Sequence, residues 1–95
     1  MEIAKSDIVL ALCGRESGRL YFVLELDGNF ALIADGKRRK IENPKRKKLK
    51  HIQLAARTDS RVAEKLRSGE KVLNSELRRE LAVTCLKFQS HNQGG

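Results

Sequence analysis

Three short apolar runs, each closed by a glycine-bearing connection, occupy the first third of the chain and point to antiparallel strands. They are residues 7–12 (Asp-Ile-Val-Leu-Ala-Leu), 21–26 (Tyr-Phe-Val-Leu-Glu-Leu) and 30–34 (Phe-Ala-Leu-Ile-Ala). Short aliphatic or aromatic runs between turn residues read as strands. The first connection is Gly14-Arg15-Glu16-Ser17-Gly18-Arg19; the next two, Asp27-Gly28-Asn29 and Asp35-Gly36, supply the positive φ that tight hairpin turns require. Each link is therefore predicted to be antiparallel. Lys37–Ile41 is predicted to continue as a fourth strand, broken by Asn43-Pro44, and Leu49–Leu54 to pair as a fifth with Ile52 and Leu54 facing inward. Five such strands suggest a small barrel over residues 1–57.

After residue 57 the apolar period becomes helical. Asp59 is the expected N-cap of a short helix through Val62, Ala63 and Leu66, and Gly69 stands where a helix C′ glycine belongs. Asn74 is expected to cap a second helix whose stripe is Leu77, Leu81, Cys85 and Phe88. A barrel of this size buries little surface alone, so residues 58–88 are expected to pack on it as a helical hairpin. Residues 89–95 have nothing to bury and are expected to be disordered. The expected architecture is mainly β, with two short C-terminal α-helices after the barrel.

With 95 residues there is room for one domain. Twenty Lys and Arg against twelve Asp and Glu give a net charge of +8, and all of that excess lies in residues 37–50. That segment holds Lys37, Arg38, Arg39, Lys40, Lys45, Arg46, Lys47, Lys48 and Lys50 against the single acid Glu42. An edge strand needs only a lysine or two to discourage aggregation. Nine cations so close together repel one another, which implies a polyanionic partner. Arg forks and mobile Lys charges both grip phosphate, and such contacts position a protein without reading sequence.

Other classes find less support. The longest apolar run, Ile8–Cys13, is far below the ~20 residues of a membrane span, and the N-terminus lacks a leader pattern, so a cytoplasmic location is expected. Cys13 and Cys85 stand far apart with only His51 and His91 beside them, too few ligands for structural zinc, and they are expected to behave as reduced, small apolar residues. No nucleophile–histidine arrangement and no phosphate-cradling loop is recognisable, so neither catalysis nor a cofactor is expected.

Residues 7–34 resemble the KOW motif, an RNA- and ribosome-associated element of SH3-like barrels. The resemblance rests on Asp7-Ile8-Val9, Gly14-Arg15-Glu16-Ser17-Gly18-Arg19, Val23 and the Asp35-Gly36 turn. Extended through Ala34-Asp35-Gly36-Lys37 to Leu49-Lys50-His51-Ile52, it is similar to the fourteenth large-subunit ribosomal protein family of archaea and eukaryotes. It is more similar still to the short bacterial KOW-domain RNA-binding proteins. The resemblance implies an SH3-like barrel and a partner that is RNA, with ribosomal RNA the precedent. Ser17 and Tyr21 stand where many members have a lysine and a third glycine, so Arg15 and Arg19 are the candidates for that loop's phosphate contacts, together with exposed backbone N–H groups. His51, inside the basic run, is expected to contact backbone or phosphate. Gly14, Gly18, Asp35 and Gly36 are expected to shape the loops.

Few aromatics are present: Tyr21, Phe22, Phe30 and Phe88, several of which a core must consume, and there is no Trp. Folded RNA recognised through its backbone is therefore favoured over single-strand stacking or a proline-rich peptide. Two other readings are a protein-interaction adaptor using the barrel or helical tail, and adhesion to an anionic membrane, which the lack of a bulky apolar insertion face disfavours.

Overall fold

The computed structural model describes residues 2–93, with side chains through Lys87. Five strands, β1 (Ile8–Ala11), β2 (Leu20–Asp27), β3 (Phe30–Ala34), β4 (Lys45–Lys48) and β5 (Ile52–Ala56), form one antiparallel sheet in the order β4-β3-β2-β1-β5. A single 3-10 turn, Leu49–His51, joins β4 to β5, and two helices follow, α1 (Arg61–Ser68) and α2 (Asn74–Gln93).

Strand alternation sorts the apolar residues onto two faces. Val9, Ala11, Tyr21, Val23, Ala31, Ile33 and Ile52 form a core on one face. On the other, Ile8, Phe22 and Ala34 meet Val62 and Leu66 of α1 and Leu77 and Leu81 of α2. Register places Ile8 opposite Phe22 and Phe22 opposite Ala34, so three adjacent strands present one patch to the helices. Between Val23 and Glu25 the β2–β3 ladder shifts, and the extra residue Leu24 joins the helix-side cluster.

The β2–β3 link is the two-residue turn Gly28-Asn29, with Gly28 at φ +60 in the first central position. Asp35-Gly36 makes no such hairpin, and Lys37–Ile41 is not a strand. The Asp35 carboxylate accepts N–H bonds from Lys37, Arg38 and Arg39, each 2.9 Å, and folds the backbone into a compact turn. The connection runs to Pro44, so β4 begins at Lys45. The fifth strand likewise starts three residues later than expected: Leu49–His51 is helical, Ile52 is buried as expected, and Leu54 is only half-buried.

The N-cap of α1 is Ser60, whose Oγ accepts the Ala63 N–H at 3.2 Å, while Asp59 instead pairs with Arg67 at 3.8 Å. Gly69 ends the helix at φ +80. At the start of α2, Glu76 accepts the Leu73 N–H, half of a capping box, and Leu73 accepts from Leu77. Asn74 does not cap. Its Oδ1 accepts the Ile41 N–H at 2.8 Å and its Nδ2 donates to Glu42 at 2.7 Å, binding α2 to the β3–β4 connection.

With 20 residues α2 is about 30 Å long, not short, and it continues to Gln93 through residues expected to be disordered. Leu77 and Leu81 of its stripe are buried, Cys85 is exposed, and the Phe88 side chain lies outside the described residues. Cys13 is exposed too, so neither cysteine belongs to the core.

Two polar ties hold the N-terminus to the end of β5 and to α1. Buried Asp7 receives Arg57 Nε at 3.2 Å and the Ala4 N–H at 2.8 Å, while Arg57 also donates to the Glu2 carbonyl. Ser6, at φ +75, accepts from Arg67 at 3.2 Å.

Candidate nucleic-acid interface

The fold divides the basic segment into three groups with different duties. β4 lies antiparallel to β3, with Ile33 opposite Lys45 and Phe30 opposite Lys48. Residues 37–40 therefore sit beyond one end of this strand pair and residues 48–50 at the other, at least about 10 Å away.

Between them, Lys45, Arg46 and Lys47 are paired with Glu16 and Asp27. Lys45 and Lys47 project on the face of Ile33 and Ala31, toward the β1–β2 loop. Lys47 is 8% exposed; its ammonium donates to the Cys13 carbonyl at 2.8 Å and to Glu16 Oε2 at 3.3 Å. Lys45 pairs with the other Glu16 oxygen at 3.6 Å. Burial raises the Glu16 pKa, but hydrogen bonds from its own backbone N–H and from Lys47, with both lysine charges, outweigh that and leave it below the ordinary value. On the opposite face, Arg46 pairs with Asp27 at 3.3 Å and lies over the Phe30 ring, 3.8 Å from its centroid. Lys47 is thus a structural ion, not a surface phosphate ligand, and Lys45 and Arg46 are partly neutralised.

Lys37, Arg38 and Lys40 are exposed and Arg39 is half-buried, and none has an acidic partner among the described residues. Their loop is fixed from beneath by Asp35, by Asn74 and by Arg78, which donates to the Gly36 carbonyl at 2.7 Å. Arg19, Lys37, Asp35 and Arg78 line one concavity with Gly18, Leu81 and Cys85, so the β1–β2 loop and the basic turn meet in space. Arg15 is exposed on that loop and without an acidic partner among the described residues.

Much of the backbone of these loops is already engaged. Asp35 takes three amides of the turn, and Ser17, Gly18 and Arg19 donate to the carbonyls of Gly14, Ala11 and Glu16. Of the N–H groups expected to contact phosphate from the β1–β2 loop, those of Ser17, Gly18 and Arg19 are thus engaged within the loop. Gly14 and Gly18 hold φ +81 and +82, consistent with their shaping of that loop.

At the far end, exposed Lys48 and Lys50 border a second concavity with Asn29, Phe30 and Leu49. His51 is half-buried in the 3-10 turn, where its carbonyl accepts the Leu12 N–H at 2.9 Å. Glu16, Asn74 and Arg78 organise the site through contacts that local sequence does not announce. The only local signal was a lone acid among the arginines of the 14–19 loop. Among the described residues no three His, Cys, Asp or Glu side chains form a metal-binding group, and no helix is long and apolar enough to cross a membrane. Comparison with protein-family models and with curated proteins finds no match for this chain.

Proposed function

We propose that this chain is a KOW-type SH3-like barrel protein of the cytoplasm that docks on folded RNA, ribosomal RNA being the precedent, through contacts to the phosphate backbone. The observation that carries the reading is the braced turn. Lys37, Arg38 and Lys40 project without acidic partners among the described residues from a loop held by Asp35, Asn74 and Arg78, beside Arg19. Immobilising a loop of like charges raises their mutual repulsion, which an incoming polyanion relieves. Lys48 and Lys50 extend the contact to the other end of the strand pair. The five-strand order is that of an SH3-like barrel, and the two apolar faces suit a sheet curled around one core with helices on its outside.

The test replaces Lys37, Arg38 and Lys40 with Ser and follows binding to a structured ribosomal RNA fragment by fluorescence anisotropy. Each lost phosphate contact weakens binding, so the expected loss is at least about tenfold with the thermal melt unchanged. Undiminished affinity in the folded triple variant removes the reading. The adaptor alternative draws on α2, where Val83 and Leu86 are exposed; co-sedimentation with ribosomal particles that survives ribonuclease treatment would favour it.

A further inference from the structure

The fold leaves one described aromatic ring at the surface, and it places that ring in a cationic groove. Tyr21 and Phe22 are 1% and 0% exposed, so the core consumes both. Phe30 is half-buried, opens β3 directly after the Gly28-Asn29 turn, and faces Lys48 across the ladder. Arg46 covers part of the ring and pairs with Asp27. Arg46 is not among the residues that line the adjoining groove, which is formed by Asn29, Phe30, Lys48, Leu49 and Lys50.

Each group supplies a different part of nucleotide recognition. The Phe30 ring and the half-buried Leu49 side chain offer an apolar wall to a base. The Asn29 carboxamide, which makes no hydrogen bond among the described residues, offers a donor and an acceptor to a base edge. Lys48 and Lys50 make no ion pair among the described residues and flank the groove where the phosphates of a nucleotide would run. Phe30 is half-buried and has Arg46 against its ring, so less ordering opposes binding than for a fully exposed side chain.

We infer that this groove receives one unpaired nucleotide of the bound RNA, its base against Phe30 and its phosphates on Lys48 and Lys50. A base stacked inside a duplex cannot enter such a groove, so the site adds preference for a bulge or loop to the shape-blind backbone contacts. The inference rests on the RNA reading above and deepens it.

The experiment compares two blunt-ended RNA duplexes, one fully paired and one with a single-nucleotide bulge, and a third carrying 2-aminopurine at the bulge. The wild-type chain should bind the bulged duplex on the order of tenfold more tightly than the paired one. Phe30→Leu should abolish that difference while leaving affinity for the paired duplex unchanged, and 2-aminopurine emission should change on binding to wild type only. Should Phe30→Leu fail to fold, Asn29→Ala with the same emission measurement decides, because Asn29 is an exposed turn residue. Equal affinity for the paired and bulged duplexes, or an emission change that survives Phe30→Leu, overturns the groove while the RNA reading stands. Absence of binding to either duplex overturns both.

Discussion

Gly36 and Gly18 share a positive φ, +79 and +82, but not surroundings. A Cβ on Gly36 would overlap the backbone carbonyl oxygen of Asn74 at the start of α2, whereas a Cβ on Gly18 meets nothing within 4 Å. Gly18→Ala should therefore cost only the left-handed backbone penalty, about 1–2 kcal/mol. Gly36→Ala should cost clearly more and loosen the basic turn, as urea melts of the two variants will show. Glu16 sets a second residue-level expectation. Its carboxyl lies below the ordinary value of 4.5, and it is the partner of both Lys45 and Lys47. A depressed folded-state pKa means that the stabilisation is present above about pH 4.5 and disappears as pH falls through the folded value. Glu16→Gln should flatten the stability profile below pH 5, read by thermal melts across pH 3–7. Lys47→Ser should destabilise even at neutral pH by leaving Glu16, 11% exposed, without its buried cation.

Among the elements, α2 has two unlike halves. Its first turns lock onto the sheet: Leu77 is fully buried, Leu81 nearly so, Lys65 and Glu76 pair at 2.9 Å across the helices, and Asn74 and Arg78 bind the β3–β4 connection. Farther along, Val83 and Cys85 are exposed and Leu86 is 66% exposed. Leu77→Ala should cost about 2–5 kcal/mol, while Leu86→Ala should stay within about 0.5 kcal/mol. Because the same first turns brace residues 35–42, Leu77→Ala should also weaken the proposed RNA binding more than its distance from Lys37 suggests. Hydrogen exchange at Lys37, Arg38 and Arg39 checks that coupling: their amides, bonded to Asp35, should lose protection.

For the molecule as a whole, the useful number is the charge left after internal pairing. Lys45, Arg46 and Lys47 are already engaged with Glu16 and Asp27. Contact through Lys37, Arg38, Lys40, Lys48 and Lys50 alone would give a slope of log affinity against log salt of roughly −3.5 to −4.5, and Arg15 and Arg19 would each steepen it by about 0.7 to 0.9. Lys48→Ser with Lys50→Ser should make the slope shallower by about 1.5. A flat salt dependence in the wild-type chain would instead fit an adaptor. Neutralising Lys47 along with its neighbours would be a poor probe, since it mixes loss of fold with loss of contact.

Three strands, their antiparallel links, the short helix with its glycine stop and the concentration of charge in residues 37–50 were legible in the sequence. Each depends on contacts or conformations spanning a few residues: alternation, turn glycines, helical period. The fourth strand was misplaced because one side chain, Asp35, outcompetes strand pairing by taking three neighbouring amides. Which cations face outward was decided by tertiary structure alone. Lys47 and Lys48 are adjacent and chemically identical, yet register against β3 turns one toward Glu16, 31 positions away, and the other toward solvent. The same holds for Asn74, a cap by local rules, which bonds Ile41 and Glu42 instead. Composition determines how much charge a segment carries, but a cation's availability depends on which carboxylates the fold brings to it, and only long-range packing supplies those.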